Sequence, residues 1–268
     1  AGALRLRNDS ALGATTQGTT VTSGAALEIE GSLTVAEPLT ISGTGLAAGA
    51  GAIRNVAGSS TLSGAITLGA ASTISSDLGT LTLSGGVIGG TFNLTIGGAG
   101  NVTVSTGAIG GSGTLTKADA GTLTLSVANT FTGATTVNAG ILNLQNASAL
   151  GTSPSVTVAS GAVLQLQGVG SDRPLTLSGA GAQAAQNGAL VNVSGSNTYS
   201  GAITLAAPST VSSDAGTLTL SGGVTGAGNR FTLTGTSNGI LSSIVANTTG
   251  GLTKAGNGTW ALAAANTY

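Results

Sequence analysis

The stretch Gly113–Gly151, GTLTKADAGTLTLSVANTFTGATTVNAGILNLQNASALG, decides how the chain is read. Leucine and valine alternate with threonine, and glycine or asparagine punctuates the run every few residues. Much of it returns as GLTKAGNGTWALAAANTY at 251–268. Such self-similarity is the mark of a repeat architecture and is examined before any single residue. A longer comparison gives a period of 137 residues. TLSGAITLGAASTISSDLGTLTLSGGV (61–87) realigns with TYSGAITLAAPSTVSSDAGTLTLSGGV (198–224) at 22 of 27 positions. The offset also carries Leu115 to Leu252, Lys117 to Lys254, Asp77 to Asp214 and Phe131 to Tyr268. Inside it, T-[LFY]-[ST]-G-A-[IT]-T-[LV] recurs at Thr61, Thr130 and Thr198 and opens again at Thr267, spacings of 69, 68 and 69 residues. Even spacing of one motif is natural to a solenoid.

Composition narrows the class. The 268 residues include 47 glycines, 40% hydrophobic, 2% aromatic and 6% charged residues. Charged residues make up ~25% of an ordinary domain, so Thr, Ser and Asn must supply the surface polarity here. A mean hydropathy of +0.41 excludes disorder driven by low hydrophobicity and high charge. Few aromatics and many small residues predict a narrow core with one or two aliphatic side chains per layer. The net charge of −1 leaves no electrostatic footprint for nucleic acid. No apolar run reaches the ~20 residues of a membrane-spanning helix. The chain opens on Ala1 without Met and is expected to be a mature or excised piece of a longer protein.

Short runs of period two mark half-buried strands at Leu81–Leu83, Leu94–Ile96, Val102–Val104, Leu115–Thr116, Leu123–Leu125, Ile203–Leu205 and Leu218–Leu220. Leu and Val are expected inward and Thr outward. The runs are bounded by Gly-Gly, Ser-Gly, Asn-Gly and Gly-Ala-Gly, which give positive φ without a steric penalty. Helix is disfavoured by the glycines and by abundant Thr and Val. The predicted fold is all-β, a parallel β-helix (solenoid) of about twelve coils of ~20–23 residues, rising ~4.8 Å each to ~55–60 Å. It is read as one continuous solenoid, 1–268, of two tandem ~137-residue repeats, 1–137 and 138–268. A β-sandwich array is the main architectural alternative; it calls for larger core aromatics and units near 100 residues.

The string L-T-K-x-[DG]-x-G-T-[LW]-x-L-x-x-x-N-T-[FY]-x-G-x-T-x-V-x-x-G-x-L-x-L, Leu115 to Leu144, resembles the autotransporter-associated β-strand repeat of Gram-negative type V secreted proteins and very large surface proteins. The strong copies are 113–144 and 250–268, with degenerate ones around 60–83 and 197–220. The resemblance implies a right-handed β-helix, extracellular at the cell surface of a Gram-negative bacterium, and no particular activity. Asp119 stands where the family usually has Gly, as at Gly256; Asp tolerates a left-handed turn, so the fold is not put in doubt. The implied partners are neighbouring β-helical repeats end to end, an outer-membrane translocator barrel outside this chain, and a glycan or host-surface ligand.

Candidate chemistry is sparse. With no His and no Cys there is no Ser-His-Asp triad, no thiol nucleophile and no zinc site of ordinary ligand type. The RTX calcium pattern is lacking. A glycosidase needs two carboxylates facing one cleft. The acids are Asp9, Glu28, Glu30, Glu37, Asp77, Asp119, Asp172 and Asp214. Glu28 and Glu30 flank Ile29 on a solvated outer face, where the second copy has Gln165 and Gln167. Asp77 and Asp214 are expected as turn residues bonding nearby backbone N–H groups. Lys117 and Lys254 are placed at strand ends, resisting edge pairing. Asp172-Arg173-Pro174 reads as a loop. The T-x-T pairs Thr80/Thr82, Thr114/Thr116, Thr122/Thr124, Thr217/Thr219 and Thr232/Thr234 are ordinary outward strand residues, with irregular coil spacing against their forming one face. The expected function is a non-enzymatic structural segment serving as stalk, adhesin or filament scaffold, with no catalytic, cofactor or metal site. The alternatives are a carbohydrate-binding or carbohydrate-cleaving β-helix and ice binding through outward Thr arrays.

Overall fold

The computed structural model describes residues 1–47, 50–181 and 187–268. Among them are thirty strands and no helix, and all registered pairings are parallel. Two compact units emerge, Ala1–Ala134 with Ala149–Thr152, and Thr135–Ser148 with Ser153–Tyr268. Each is a parallel β-solenoid, as predicted.

In the first unit every complete coil presents three strand faces in turn. Face one holds Ala3–Leu6, Ala26–Glu30, Ile53–Ala57, the second half of Ile66–Ser76, Leu94–Gly97 and Leu115–Lys117. Face two runs from Thr34–Val35 through Ser60–Leu62, Thr80–Leu83 and Asn101–Val104 to Thr122–Leu125. Face three runs from Thr19–Val21 through Leu39–Gly43 and the first half of Ile66–Ser76 to Val87–Ile88 and Ile109–Gly110. The second unit repeats the plan. Its face one is Ile141–Leu144, Val163–Gln167, Leu190–Ser194, the second half of Ile203–Ser213, Phe231–Thr234 and Leu252–Lys254. Six rungs in each unit make the twelve coils that the sequence predicts.

Register puts like on like. On face one the stack Leu4, Leu27, Ile53, Ile74, Ile96, Lys117 runs through the first unit. Its counterpart in the second is Leu142, Leu164, Leu190, Val211, Leu233, Lys254. Face two adds Val35, Leu62, Leu83, Val104 and Leu125. Apart from the outermost rungs these aliphatic residues are buried, with Thr between them facing out. Burying each Leu or Ile stabilises by about 1.5–3 kcal/mol, so a rung with three faces supplies its own core. The narrow interior inferred from composition is what the stacks fill.

Glycines set how closely rungs approach. A Cβ on Gly121 would lie 1.8 Å from the carbonyl oxygen of Gly100, and one on Gly133 would lie 2.0 Å from that of Gly113. Both are below any real contact, so backbone meets backbone at these corners because no side chain intervenes. Two measurements check this packing by urea unfolding. Leu164→Ala removes a fully buried stack member and should cost about 2–5 kcal/mol. Gly121→Ala adds one methyl yet should destabilise the first unit more than Gly2→Ala, whose Cβ meets nothing within 4 Å.

Candidate functional site

The repeat motif is itself the feature most completely explained by structure. Leu115, Leu123, Leu125 and Phe131 point inward and are buried. Gly121 and Gly133 permit the close approaches just described. Asn129 is buried and bridges rungs: the Ile109 N–H donates to its Oδ1 at 2.8 Å, and its Nδ2 donates to the Ala149 carbonyl at 2.6 Å. In the second unit the Val245 N–H donates to Asn266 Oδ1, again at 2.8 Å. Asp119 adopts φ +55°, the left-handed turn expected of it, and Gly256 sits at +66°. The Asp119 carboxylate accepts the Gly98 N–H of the previous rung at 2.8 Å.

Lys117 overturns its expected role. It is 2% exposed and stands in the inward stack directly after Ile96, so it is no edge guard. Its stem continues the aliphatic column while Nζ turns back on the corner, donating to the carbonyls of Ala118 and, at 2.8 Å, of Asp119. Lys254 folds the same way onto Ala255 and, at 2.8 Å, Gly256, but it is exposed at the end of its strand. A lysine is long enough to fill a stack position with its aliphatic stem and still satisfy turn carbonyls with its ammonium.

Each of the eight acids is engaged in an ion pair or a hydrogen bond. Glu28 is buried, not solvated as expected, because arginines on the rungs either side cover it. Arg5 Nη2 approaches Glu28 Oε2 at 2.6 Å and Arg54 Nη1 approaches Oε1 at 3.3 Å. Glu30 binds Arg7 at 2.8 Å and Arg5 at 3.2 Å, and the Arg7 hydrogen bond holds its carboxyl below the usual range. The copy replaces this ionic ladder by amides, Asn143 Nδ2 donating to Gln165 Oε1 at 2.7 Å and Gln145 Nε2 to Gln167 Oε1 at 2.9 Å. Asp77 does not bond backbone N–H groups as a turn residue would; its carboxylate takes Arg54 at 2.5 Å. Asp214 accepts the Ser212 hydroxyl instead, since Val191 stands where the first copy has Arg54. Asp9 accepts the Thr34 N–H, the buried Glu37 accepts the Thr19 hydroxyl, and Asp172 pairs with Arg173 in the expected loop.

The threonines are more regular than expected. On face two of the first unit Thr34, Thr61, Thr82, Thr103 and Thr124 stack in one outward rank. In the second unit Thr136, Thr157, Thr176, Thr204 and Thr225 form another. Unequal coil lengths do not scatter them, because the extra residues are absorbed at corners before the strands pair. Sequence reasoning also missed Asn55 and Asn192, which enter the interior at one corner. Asn55 Nδ2 donates to the carbonyls of Gly58 at 2.9 Å and Leu78 at 2.8 Å; Asn192 Nδ2 donates to that of Gly195 at 2.9 Å. Their exact 137-residue spacing was the available signal.

With this geometry in place, comparison with known families decides the nature of the repeat. A family model described as Passenger-associated-transport-repeat matches residues 115–144, 190–207 and 252–268. These three segments are similar to this repeat. Two matched segments coincide with the strong copies read from the sequence. The third begins ahead of the expected 197–220, and 60–83 is not among the matched segments. No curated protein and no solved structure matches the chain. The passenger-associated transport repeat and the β-solenoid fit an autotransporter passenger segment and are consistent with an extracellular or surface location.

The buried lysine of the repeat makes a pH prediction. Burial pushes the Lys117 ammonium down from 10.5 to about 8, the neighbouring Asp119 opposing it. Its folded pKa therefore lies below its unfolded one. Between those values the unfolded chain binds more protons, so stability rises with pH. The urea midpoint of the first unit's transition should increase from pH 8 to pH 10.5, and Lys117→Met should flatten that rise.

Proposed function

We propose that the chain is a non-enzymatic structural segment of an extracellular passenger, a stalk or scaffold whose work is done by stacking. One observation carries this reading most directly. In each unit a six-membered inward column repeats rung by rung, and the residues of the transport repeat are those that make the rung: inward leucines, close-approach glycines, the bridging asparagine and the folded-back lysine. A motif whose fixed positions are consumed by packing serves extension and export better than a reaction. Rungs add stability one at a time, so a passenger of this kind folds by propagation as it emerges.

The test is display. Placed between an N-terminal epitope tag and an outer-membrane translocator barrel in a Gram-negative host, the chain should reach the surface and leave a protease-resistant passenger. Leu81→Asp with Leu218→Asp, which put charge at fully buried positions of the strands Thr80–Leu83 and Thr217–Leu220, should abolish the resistance. A passenger that stays protease-sensitive, or one that releases reducing ends from polysaccharides, contradicts the proposal.

A second reading has one observation in its favour. The two five-membered threonine ranks present methyl and hydroxyl groups at the rung spacing of ~4.8 Å, a regular array of the kind that can order water as ice does. Thermal hysteresis in a nanolitre osmometer decides it: an ice-binding face gives faceted crystals, and unshaped growth removes this reading.

A further inference from the structure

The two copies differ most pointedly around one cleft. In the second unit Asn187, Ser212, Asp214, Thr234, Thr236 and Asn257, with Gly235 and Gly256, line an open hollow of about 380 Å³. That size lies within the range of small-molecule sites, ~300–1,000 Å³. Among the described residues every lining side chain is an alcohol, an amide or the one carboxylate. The cleft flanks a stretch that is otherwise nearly identical between copies, so the changes that shape it stand out.

Six differences distinguish it from the equivalent place in the first unit: Ala50, Ala99 and Ala120 become Asn187, Thr236 and Asn257, and three more bear on charge and space. Asp77 there is neutralised by Arg54 at 2.5 Å, whereas no cation pairs with Asp214 among the described residues. Gly97 becomes Thr234, and Asp119 becomes Gly256. The last two are reciprocal. A Cβ on Gly97 would lie 2.6 Å from Asp119 Oδ2, and a Cβ on Gly256 would lie 2.6 Å from the Gly235 carbonyl oxygen and 2.8 Å from Thr234 Oγ1. In each copy only one of the two positions carries a side chain. The first copy fills the space with a carboxylate bonded to the Gly98 N–H; the second leaves it lined by a strand hydroxyl.

The hydrogen-bond directions define what would fit. Ser212 donates its hydroxyl proton to the Asp214 carboxylate, and Thr236 donates its own to the Asp214 carbonyl at 3.0 Å. The donors of both hydroxyls are thus committed, and their lone pairs remain to accept. Together with the carboxylate they make an acceptor-rich wall that repels anions and attracts a ligand with several O–H donors. The amides of Asn187 and Asn257 can donate to ring or glycosidic oxygens. Hydrogen bonds from ligand hydroxyls to Asp214 are charge-assisted and so the strongest of the set. We propose that this cleft binds a single neutral pyranose, with the Asp214 carboxylate receiving two adjacent hydroxyls.

Saturation-transfer NMR on the 268-residue chain tests this, using methyl glycosides of glucose, galactose and mannose, with glucuronate and calcium chloride as competing arms. At least one neutral glycoside should receive saturation and show a saturable shift, while glucuronate binds at least tenfold more weakly. Asp214→Ala should weaken binding at least tenfold. The double variant Thr234→Gly with Gly256→Asp copies the pair that the first unit accommodates, so it should fold with unchanged circular dichroism and lose binding. No transfer from any glycoside overturns the proposal. So does unaltered affinity in the folded double variant, or displacement showing calcium to be the ligand.

Discussion

Everything in this molecule depends on backbone hydrogen bonds made from one rung to the next. Parallel strands joined this way sit about 4.8 Å apart, and that distance cannot be relaxed to suit a large side chain. Whatever occupies a given position on one rung must tolerate its equivalent immediately above and below. Leu on Leu and Ile on Ile satisfy this with ordinary rotamers, hence the inward columns. The spacing also explains the glycines. Where a corner brings carbonyl against α-carbon, as at Gly121 over Gly100, there is no room for a methyl and no freedom to make any.

Polar residues that enter the interior do so on terms set by the same ladder. Strand backbone is satisfied between rungs, but a corner leaves N–H and C=O groups turned away from the next rung. Burying such groups without partners costs about 1–3 kcal/mol each. Asn129 and Asn266 each accept an otherwise exposed N–H from the rung before, and Asn55 and Asn192 each collect corner carbonyls. Lys117 solves the same problem with a longer side chain and a charge. The conspicuous polar positions of the transport repeat are therefore corner chemistry.

Strand positions and inward parity were legible because a period of two is written in adjacent residues, and Asp119 was legible because a turn is local. Contacts between coils were not. Thr34 and Thr61 are 27 residues apart, whereas Thr61, Thr82 and Thr103 follow at 21, and only pairing reveals that all stand in one rank. Arg5 and Arg54 bracket Glu28 from 23 and 26 residues away, which no local pattern shows. Lys117 failed for another reason. Strand parity places it beside Leu115 on the inner face, whereas its charge at the end of a strand suggests a guard against edge pairing.

The two copies separate what the ladder requires from what it permits. Their inward columns correspond residue for residue, while the outward positions of the same strands have gone different ways. One copy pairs arginines with glutamates, and the other bonds Asn143 to Gln165 in the same places. Rung-to-rung hydrogen bonding is indifferent to such exchanges provided that each side chain finds a partner above or below. That condition is what makes Asp214 informative. Its counterpart Asp77 has an arginine on the neighbouring rung, and the second copy has lost that arginine while keeping the acid. Ser212, already Ser75 in the first copy, donates to the Asp214 carboxylate, and Thr236, where the first copy has Ala99, donates to the Asp214 carbonyl, neither cancelling the charge. A carboxylate positioned but not neutralised, beside a glycine that leaves the space before it open, is a combination that stacking alone does not call for.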